Sequence, residues 1–237
     1  MEKRSLIVFT VVVALGSLLT SCNKLVIDKQ VYVDSYIHSI YNRAGIPVYN
    51  VVHSAFCYSA LKDVSVKGLT GTSTPLTKGT VNQYSFFSTI DSASYKTIPP
   101  AFDTYTYNVT YDSGDAAIVV DPTSGQSLVP AQELTATRTA TDIVMDCKLV
   151  ANAEAYKIRI FYDDGDATSR LMIYESNFLV PTSTTANLNI PFSLIDLSQY
   201  LNYNLSFEVS AFIFEQNQDT YEAVSTATIR KLFTTSN

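Results

Sequence analysis

The feature that most constrains the fold is an alternation of apolar and polar residues with a period of two. It is clearest in residues 203–213, where every second position is apolar: Tyr203, Leu205, Phe207, Val209, Ala211 and Ile213. Successive side chains of an extended chain point to opposite faces, so this pattern predicts a strand with one buried face. Residues 105–111, 143–149, 156–162 and 188–192 repeat the alternation. The chain is therefore predicted to be all-β.

Further strands are predicted over residues 34–41, 48–58, 64–69 and 224–233. Residues 116–120 are apolar throughout, which predicts a central strand buried on both faces. Clusters of Asp, Gly, Pro and Ser separate these runs, as expected of turns.

Composition excludes several classes of protein. Hydrophobic residues make up 46% of the 237 residues, so a packed core is expected rather than disorder. The net charge is −6 and basic runs are missing from the sequence, which argues against a nucleic-acid partner. Two His and three Cys cannot supply a four-ligand zinc site without carboxylates. No cofactor is predicted.

The first residues read as a secretion signal. A basic start, Lys3 and Arg4, precedes an apolar run over residues 6–19 that is too short for a membrane-spanning helix. The run ends in Leu19-Thr20-Ser21-Cys22, which resembles the lipobox of bacterial lipoproteins.

This resemblance implies cleavage before Cys22, acylation of that residue and anchoring in a membrane. Asn23 follows Cys22, where an inner-membrane retention signal would place Asp. We therefore expect an outer-membrane lipoprotein, similar to cell-envelope lipoproteins of the Bacteroidetes. Surface and periplasmic faces both stay open.

A stretch rich in Pro, Gly, Ser and Gln, residues 121–131, separates two segments of the size of a β-sandwich. The predicted organisation is a signal peptide over residues 1–21, a tether over 22–30, and two sandwich domains over 31–125 and 126–237.

The second segment resembles a fibronectin type III module. Ala155-Tyr156-Lys157-Ile158 matches its third strand, and residues 203–211 match its sixth, with Tyr203 as the corner tyrosine. The resemblance implies two consecutive immunoglobulin-like sandwiches, although the core Trp usual in such domains is missing from this sequence.

Cys57 and Cys147 fall in different segments, which favours two buried thiols over a disulfide. His38 and His53 lack metal-ligand or catalytic spacing and are interpreted as ordinary strand or loop residues.

Two acidic turns are candidate Ca²⁺ sites, because calcium prefers clustered carboxylate oxygens. Asp163, Asp164 and Asp166 form the better trio, and Asp112 with Asp115 the second. A hairpin turn without metal is the favoured interpretation of both.

Three phenylalanines fall on the strand face opposite the core: Phe161, Phe212 and Phe214. They are candidate contacts for a ligand or partner. The favoured alternative is packing under a loop or against the other domain. Asp91-Ser92-Ala93 resembles the short O-glycosylation motif of the Bacteroidetes, which makes Ser92 a candidate acceptor.

Neither a nucleophile elbow nor a Gly-rich phosphate loop occurs in the sequence. The predicted function is a non-enzymatic, lipid-anchored envelope protein for adhesion, scaffolding or binding, whose partner is a glycan or another surface protein. The alternatives are a glycan-binding accessory lipoprotein of a polysaccharide-uptake system and a fimbrillin-type pilus subunit.

Overall fold

The computed structural model describes residues 29–80, 84–139, 142–163, 170–180, 185–191, 200, 204–215 and 220–232. These residues form fifteen β-strands and one short 3₁₀ turn, Ser92–Ser94. None of the helical segments in this described part is long and apolar enough to cross a membrane. The predicted all-β fold class is confirmed.

The strands run in chain order as β1 Val31–Tyr41, β2 Pro47–Cys57, β3 Leu61–Lys67, β4 Thr74–Pro75, β5 Thr77–Lys78, β6 Ser85–Phe87, β7 Asp103–Tyr111, β8 Ala116–Thr123, β9 Gln132–Arg138, β10 Asp142–Lys148, β11 Ala155–Asp163, β12 Arg170–Glu175, β13 Thr185–Pro191, β14 Asn204–Phe214 and β15 Tyr221–Leu232. Each strand predicted from the alternation is present. The local pattern therefore located the strands well.

The strands form one large sheet and two small ones. The large sheet has eight strands in the order β12-β11-β14-β15-β1-β2-β6-β5. The small sheets have the orders β4-β3-β7-β8 and β13-β10-β9. The large sheet therefore contains strands from both halves of the chain.

Both small sheets cover the same face of the large sheet, called here the inner face. A first core packs β2 against β3 and β7, with Cys57, Leu61 and Tyr107 fully buried. A second core packs β14 against β10, with Phe207 and Ile143 fully buried. The result is two sandwich-like layers that share one sheet.

The two halves of the large sheet meet where β1 and β15 pair in parallel. Ile37 lies beside Ala223 of the second core on one side and beside Val51 of the first core on the other. Register neighbours in a sheet share a face, so the inner face is continuous across this joint. In the described residues, β1 pairs with β15 only over Ile37–Ile40.

The connection between the halves packs on β1. Leu128 is buried in the second core, and its carbonyl accepts a hydrogen bond from the Ser39 hydroxyl at 2.5 Å. Gly125 has a φ of 77°, and a Cβ there would lie 2.7 Å from the backbone nitrogen of Phe102. Only glycine fits this close approach. The domain boundaries at residues 31–125 and 126–237 stay a prediction.

Strand β8 corrects one expectation. Residues 116–120 were predicted to form a central strand, but β8 lies at the edge of its sheet. Ala117 and Val119 pack against the first core, whereas Ile118 and Val120 are 71% and 57% exposed. The prediction was wrong because an apolar run does not show whether both of its faces are covered.

Candidate functional site

A cleft opens where β1 extends beyond its pairing with β15. It has a volume of about 400 Å³, in the usual range for a ligand pocket. Its walls come from three places: residues 30–33 at the start of β1, residues 119–122 of β8, and Glu215, Thr220 and Glu222 at the β14–β15 turn. We call it the junction cleft, because it lies where the two halves of the chain meet.

A buried hydrogen-bond network lies behind the cleft. The Tyr107 hydroxyl is 2.6 Å from the Ser35 hydroxyl and donates to the Asp34 carbonyl at 2.9 Å. His53 Nδ1 lies 3.1 Å from the Ser35 hydroxyl. Burial lowers the pKa of His53 to about 4, so its ring is neutral at pH 7. These contacts fix the start of β1 relative to the opposing sheet.

Two buried carboxyl groups flank this network. Burial raises the pKa of Asp34 to about 8, with a smaller opposing effect of the Tyr221 backbone N–H. Burial also raises the pKa of Asp121 to about 6, and hydrogen bonds from Ser35 offset part of that rise. Near pH 7 Asp34 is therefore mainly neutral and Asp121 mainly ionised.

The other two carboxylates of the cleft are held by hydroxyl donors. Glu222 Oε2 accepts from the backbone N–H of Ser124 at 3.0 Å and from its hydroxyl at 2.6 Å. Glu215 Oε2 accepts from the Thr220 hydroxyl at 2.5 Å. Burial raises the pKa of Glu215, and the neighbouring Glu222 adds to the rise. The negative charges of Asp121, Glu215 and Glu222 thus repel one another.

Asp121 differs from these residues in having an unsatisfied oxygen. Its side chain is 6% exposed, and its Oδ2 has no hydrogen-bond partner among the described residues. A buried carboxylate oxygen without a donor is costly. This oxygen is itself buried, so a ligand in the cleft does not reach it unless the surrounding structure moves.

Tyr32 of the cleft lining packs with two rings outside that lining, Phe56 and Tyr58; we call the three the aromatic rim. Tyr32, which also lines the cleft, lies 6.4 Å from Phe56 and 6.3 Å from Tyr58 between ring centroids. Tyr32 is 44% exposed and Tyr58 is 61% exposed. Exposed tyrosines beside carboxylates offer both an apolar surface and hydrogen-bond acceptors.

The structure brings Phe212 and Phe214 together with Phe178, Tyr221 and Tyr36. Phe178 lies 5.0 Å from Phe212 and 5.3 Å from Phe214, and Tyr221 lies 5.2 Å from Phe212 and 5.7 Å from Tyr36. We call these five rings the aromatic cluster. Phe212 is only 4% exposed. It is thus packed against rings of the second half of the chain, and Tyr36 of the first half joins the cluster through Tyr221.

Phe161 lies apart from the aromatic cluster. It pairs with Ser206, six residues along β14 from Phe212, which corresponds to about 20 Å. The Arg170 guanidinium lies 4.1 Å from the centre of the Phe161 ring. A contact role for these three phenylalanines stays a prediction.

Ser92 is exposed at the start of the 3₁₀ turn. The side chain of Asp91 caps the turn by accepting from the Ala93 backbone N–H at 3.0 Å. The Ser92 hydroxyl is thus accessible, and its glycosylation stays a prediction.

The candidate metal residues are only partly described. Asp163 ends β11, and Asp164 and Asp166 lie outside the described residues. Around Gly114 the chain forms the predicted hairpin turn, closed by the bond from the Gly114 N–H to the Tyr111 carbonyl at 2.9 Å. No group of three His, Cys, Asp or Glu side chains within the described ranges is arranged to hold a metal ion.

Cys57 and Cys147 are both buried and carry thiols rather than a disulfide, as predicted. His38 packs between the Tyr95 hydroxyl at 2.6 Å and the Thr226 hydroxyl at 3.1 Å. It is an ordinary packed strand residue, as predicted. Cys22 and Tyr203 lie outside the described residues.

A second groove, of about 530 Å³, lies at the other end of the joint. Its lining is mostly aliphatic and hydroxyl-bearing, and Glu133 is its one acidic residue. The junction cleft is the smaller of the two but is lined by more ionisable side chains.

No protein-family model matches the chain, and no curated protein matches it. Its structure is similar to those of a proposed carbohydrate-binding protein from Bacteroides uniformis (12% identity, 84% of this chain and 98% of that chain, TM-score 0.35) and the chicken interferon gamma receptor alpha chain (11%, 87% and 100%, 0.31). It is also similar to the FN1–FN3 domains of chicken CNTN1 (12%, 84% and 64%, 0.28). At such low TM-scores these likenesses carry no argument.

Sequence reasoning missed the cleft residues. Tyr32 and Asp121 are distant in sequence from Glu222, and no motif links them. The available signal was weak: Asp34 begins a predicted strand, and Asp121 follows an apolar run directly.

Proposed function

We propose that this protein is a non-enzymatic binding module of the cell envelope that takes a carbohydrate ligand in the junction cleft. The observation that carries the proposal is an exposed tyrosine, Tyr32, in the wall of an acidic cleft. Tyr32, with Tyr58 packed beside it, offers ring surface on which a sugar ring stacks, and Glu215 and Glu222 in the same lining offer acceptors for its hydroxyl groups. Concave sites with a few placed polar groups are typical of small-ligand binding.

A lipid at Cys22 would place this cleft near the membrane. Gln30, which lines the cleft, follows Cys22 by eight residues. An extended linker of that length spans at most about 28 Å. Replacing Cys22 with Ala is expected to release the protein from the membrane fraction, and retention there would contradict the lipid anchor.

Binding is tested with the full-length protein in detergent on a panel of neutral, acidic and amino-sugar oligosaccharides. We expect at least one class to bind and the Tyr32→Ala variant to weaken that binding. Phe102→Ala is the matched control, because Phe102 is a 62% exposed ring that does not line the cleft.

Turnover is measured in the same experiment. The proposal predicts that a bound oligosaccharide is recovered intact, with no new reducing ends. Hydrolysis that depends on Asp121 or Glu222 would contradict the non-enzymatic role, since paired carboxyl groups are also what glycoside hydrolysis requires.

A pilus subunit is a second candidate, favoured by β8. This edge strand exposes Ile118 and Val120, and such edges accept an added strand. Polymer formation after proteolytic trimming would support this role, and a protein that stays monomeric would contradict it.

A further inference from the structure

We propose that β8 is the interface of a homodimer, in which it pairs antiparallel with β8 of a second copy of this chain. In the described residues, β8 pairs with β7 on one side and ends its sheet on the other. The inference is independent of the carbohydrate ligand.

Backbone geometry is the first reason. The Tyr111 N–H donates to the Asp115 carbonyl at 2.9 Å, so the odd-numbered residues of β8 direct their N–H and C=O groups towards β7. Pro122 occupies an even position and has no N–H, which suits an edge strand. The backbone groups that point away from the sheet belong to the other even-numbered residues: Ala116, Ile118 and Val120.

The side chains of this edge do not prevent pairing. Natural sheets protect their edges with charged side chains, proline or very short strands. Residues 116–120 read Ala-Ala-Ile-Val-Val, and Ile118 is 71% exposed. The other edge strands of the described sheets are protected: β4 and β5 have two residues each, β9 and β12 carry charged residues, and β13 contains Pro191.

Self-complementarity identifies the partner as a second copy. Antiparallel pairing centred on Ile118 places this residue beside its counterpart, and Ala116 beside Val120 of the other copy. Apolar residues then face apolar residues throughout the stretch 116–120. Each pair of outward-facing residues exchanges both of its backbone hydrogen bonds.

The same register places Asp115 of one copy opposite Asp121 of the other. Like charges directly opposite each other destabilise a pair of strands. Asp115 forms an ion pair with Lys29 of its own copy, which offsets this repulsion.

Charge complementarity also favours a second copy. The register brings residues 114–116 of one copy beside residues 120–122 of the other, which line the junction cleft. Lys29, held at Asp115 and 54% exposed, therefore approaches the cleft of the other copy. The described lining of that cleft includes Glu215 and Glu222 and has no Lys, Arg or His.

Disulfide cross-linking of the full-length protein in detergent tests the register. We expect Ile118→Cys to form a linked dimer on mild oxidation, because the Cα atoms of such a pair lie about 5.5 Å apart. A mixture of Ala116→Cys and Val120→Cys should form the mixed dimer. The control is Ile98→Cys, at a 76% exposed site outside β8, and it should stay monomeric. Cys57 and Cys147 are buried, and any link through Cys22 would appear in the control as well.

Sedimentation over a concentration series tests the energetics. The contact is smaller than a standard interface, so we expect a dimer that forms at high protein concentration. Ile118→Lys should weaken dimerisation at least about tenfold, because it places two ammonium groups opposite each other. Ile98→Lys is its control. Lys29→Glu should weaken dimerisation by a smaller factor, and the control Lys231→Glu, at an exposed site of β15, should not.

Three results would overturn the inference. The first is cross-linking of Ile118→Cys no greater than that of Ile98→Cys at the highest concentration. The second is a dimer that persists unchanged in Ile118→Lys, which would place the interface elsewhere. The third is a series of species larger than the dimer, which would assign β8 to a polymer.

Discussion

The aromatic cluster and the aromatic rim lie on the same outer face of one sheet, yet they differ in exposure. Tyr32 of the rim and Tyr36 of the cluster are four residues apart in β1 and share that face. Phe212 of the cluster is 4% exposed, whereas Tyr58 of the rim is 61% exposed. The rings of the cluster cover one another, whereas Tyr32 of the rim lines an open cleft. Position on a strand face therefore does not decide whether a ring packs or binds.

The largest expected effect is a loss of stability when a ring of the aromatic cluster is removed. Phe212→Ala is expected to lower the free energy of unfolding by about 3–5 kcal/mol, because it leaves a cavity among packed rings. Urea denaturation measures this loss. Phe178→Ala is the control and should cost less, since Phe178 is 42% exposed. A negligible loss in Phe212→Ala would instead assign this ring to a partner contact.

The next effect concerns the pH dependence of stability that the buried Asp34 causes. The folded pKa of Asp34 is raised from 3.8 to about 8, so the folded state binds this proton more tightly than the unfolded state. The stabilisation of the folded state by this more tightly bound proton is fully present below pH 4 and is lost as the pH rises towards 8. Asp34→Asn should remove that decline and be more stable than the parent protein at pH 8, by on the order of 3 kcal/mol.

Thermal unfolding between pH 4 and pH 8 checks this prediction. Asp115→Asn is the control, because Asp115 is exposed and its pKa is lowered by the hydrogen bond from Lys29. An unchanged pH slope in Asp34→Asn would show that the carboxyl group is not buried as described.

Substitutions in the aromatic rim are expected to weaken binding and spare stability, the opposite of substitutions in the aromatic cluster. Tyr32→Ala and Tyr58→Ala are each expected to weaken oligosaccharide binding by about tenfold and to leave the melting temperature nearly unchanged. Calorimetry and thermal unfolding of the same samples measure both properties. Tyr32→Phe, which keeps the ring, should retain most of the affinity. If the melting temperatures of Tyr32→Ala and Tyr58→Ala fall as far as that of Phe212→Ala, the rim packs like the cluster and the distinction between them is wrong.

The smallest expected effect is on the thiol reactivity of the two cores. Cys57 belongs to the first core and Cys147 to the second, and burial raises the pKa of Cys147 to about 11. Both thiols should resist a thiol reagent in the native protein and react after unfolding without reductant. Rapid labelling of either residue in the native protein would identify the core that opens more easily.

The strands were predictable because alternation is a local property of the sequence. The parallel pairing of β1 with β15 was not, since it joins residues as distant as His38 and Val224. Without knowledge of that pairing, nothing in the sequence brings Asp121 and Glu222 to the same cleft. The exposure of Ile118 was missed for the same reason: its strand's position in the sheet depends on partners far along the chain.

The most direct test of the account is to map where an oligosaccharide binds. Backbone amide shifts recorded by NMR during titration with an oligosaccharide that binds in the panel should change in residues 30–33 and 119–122 and at Glu215 and Glu222. Shifts confined to the aromatic cluster or to the surroundings of Phe161 would contradict the claim that the junction cleft is the binding site.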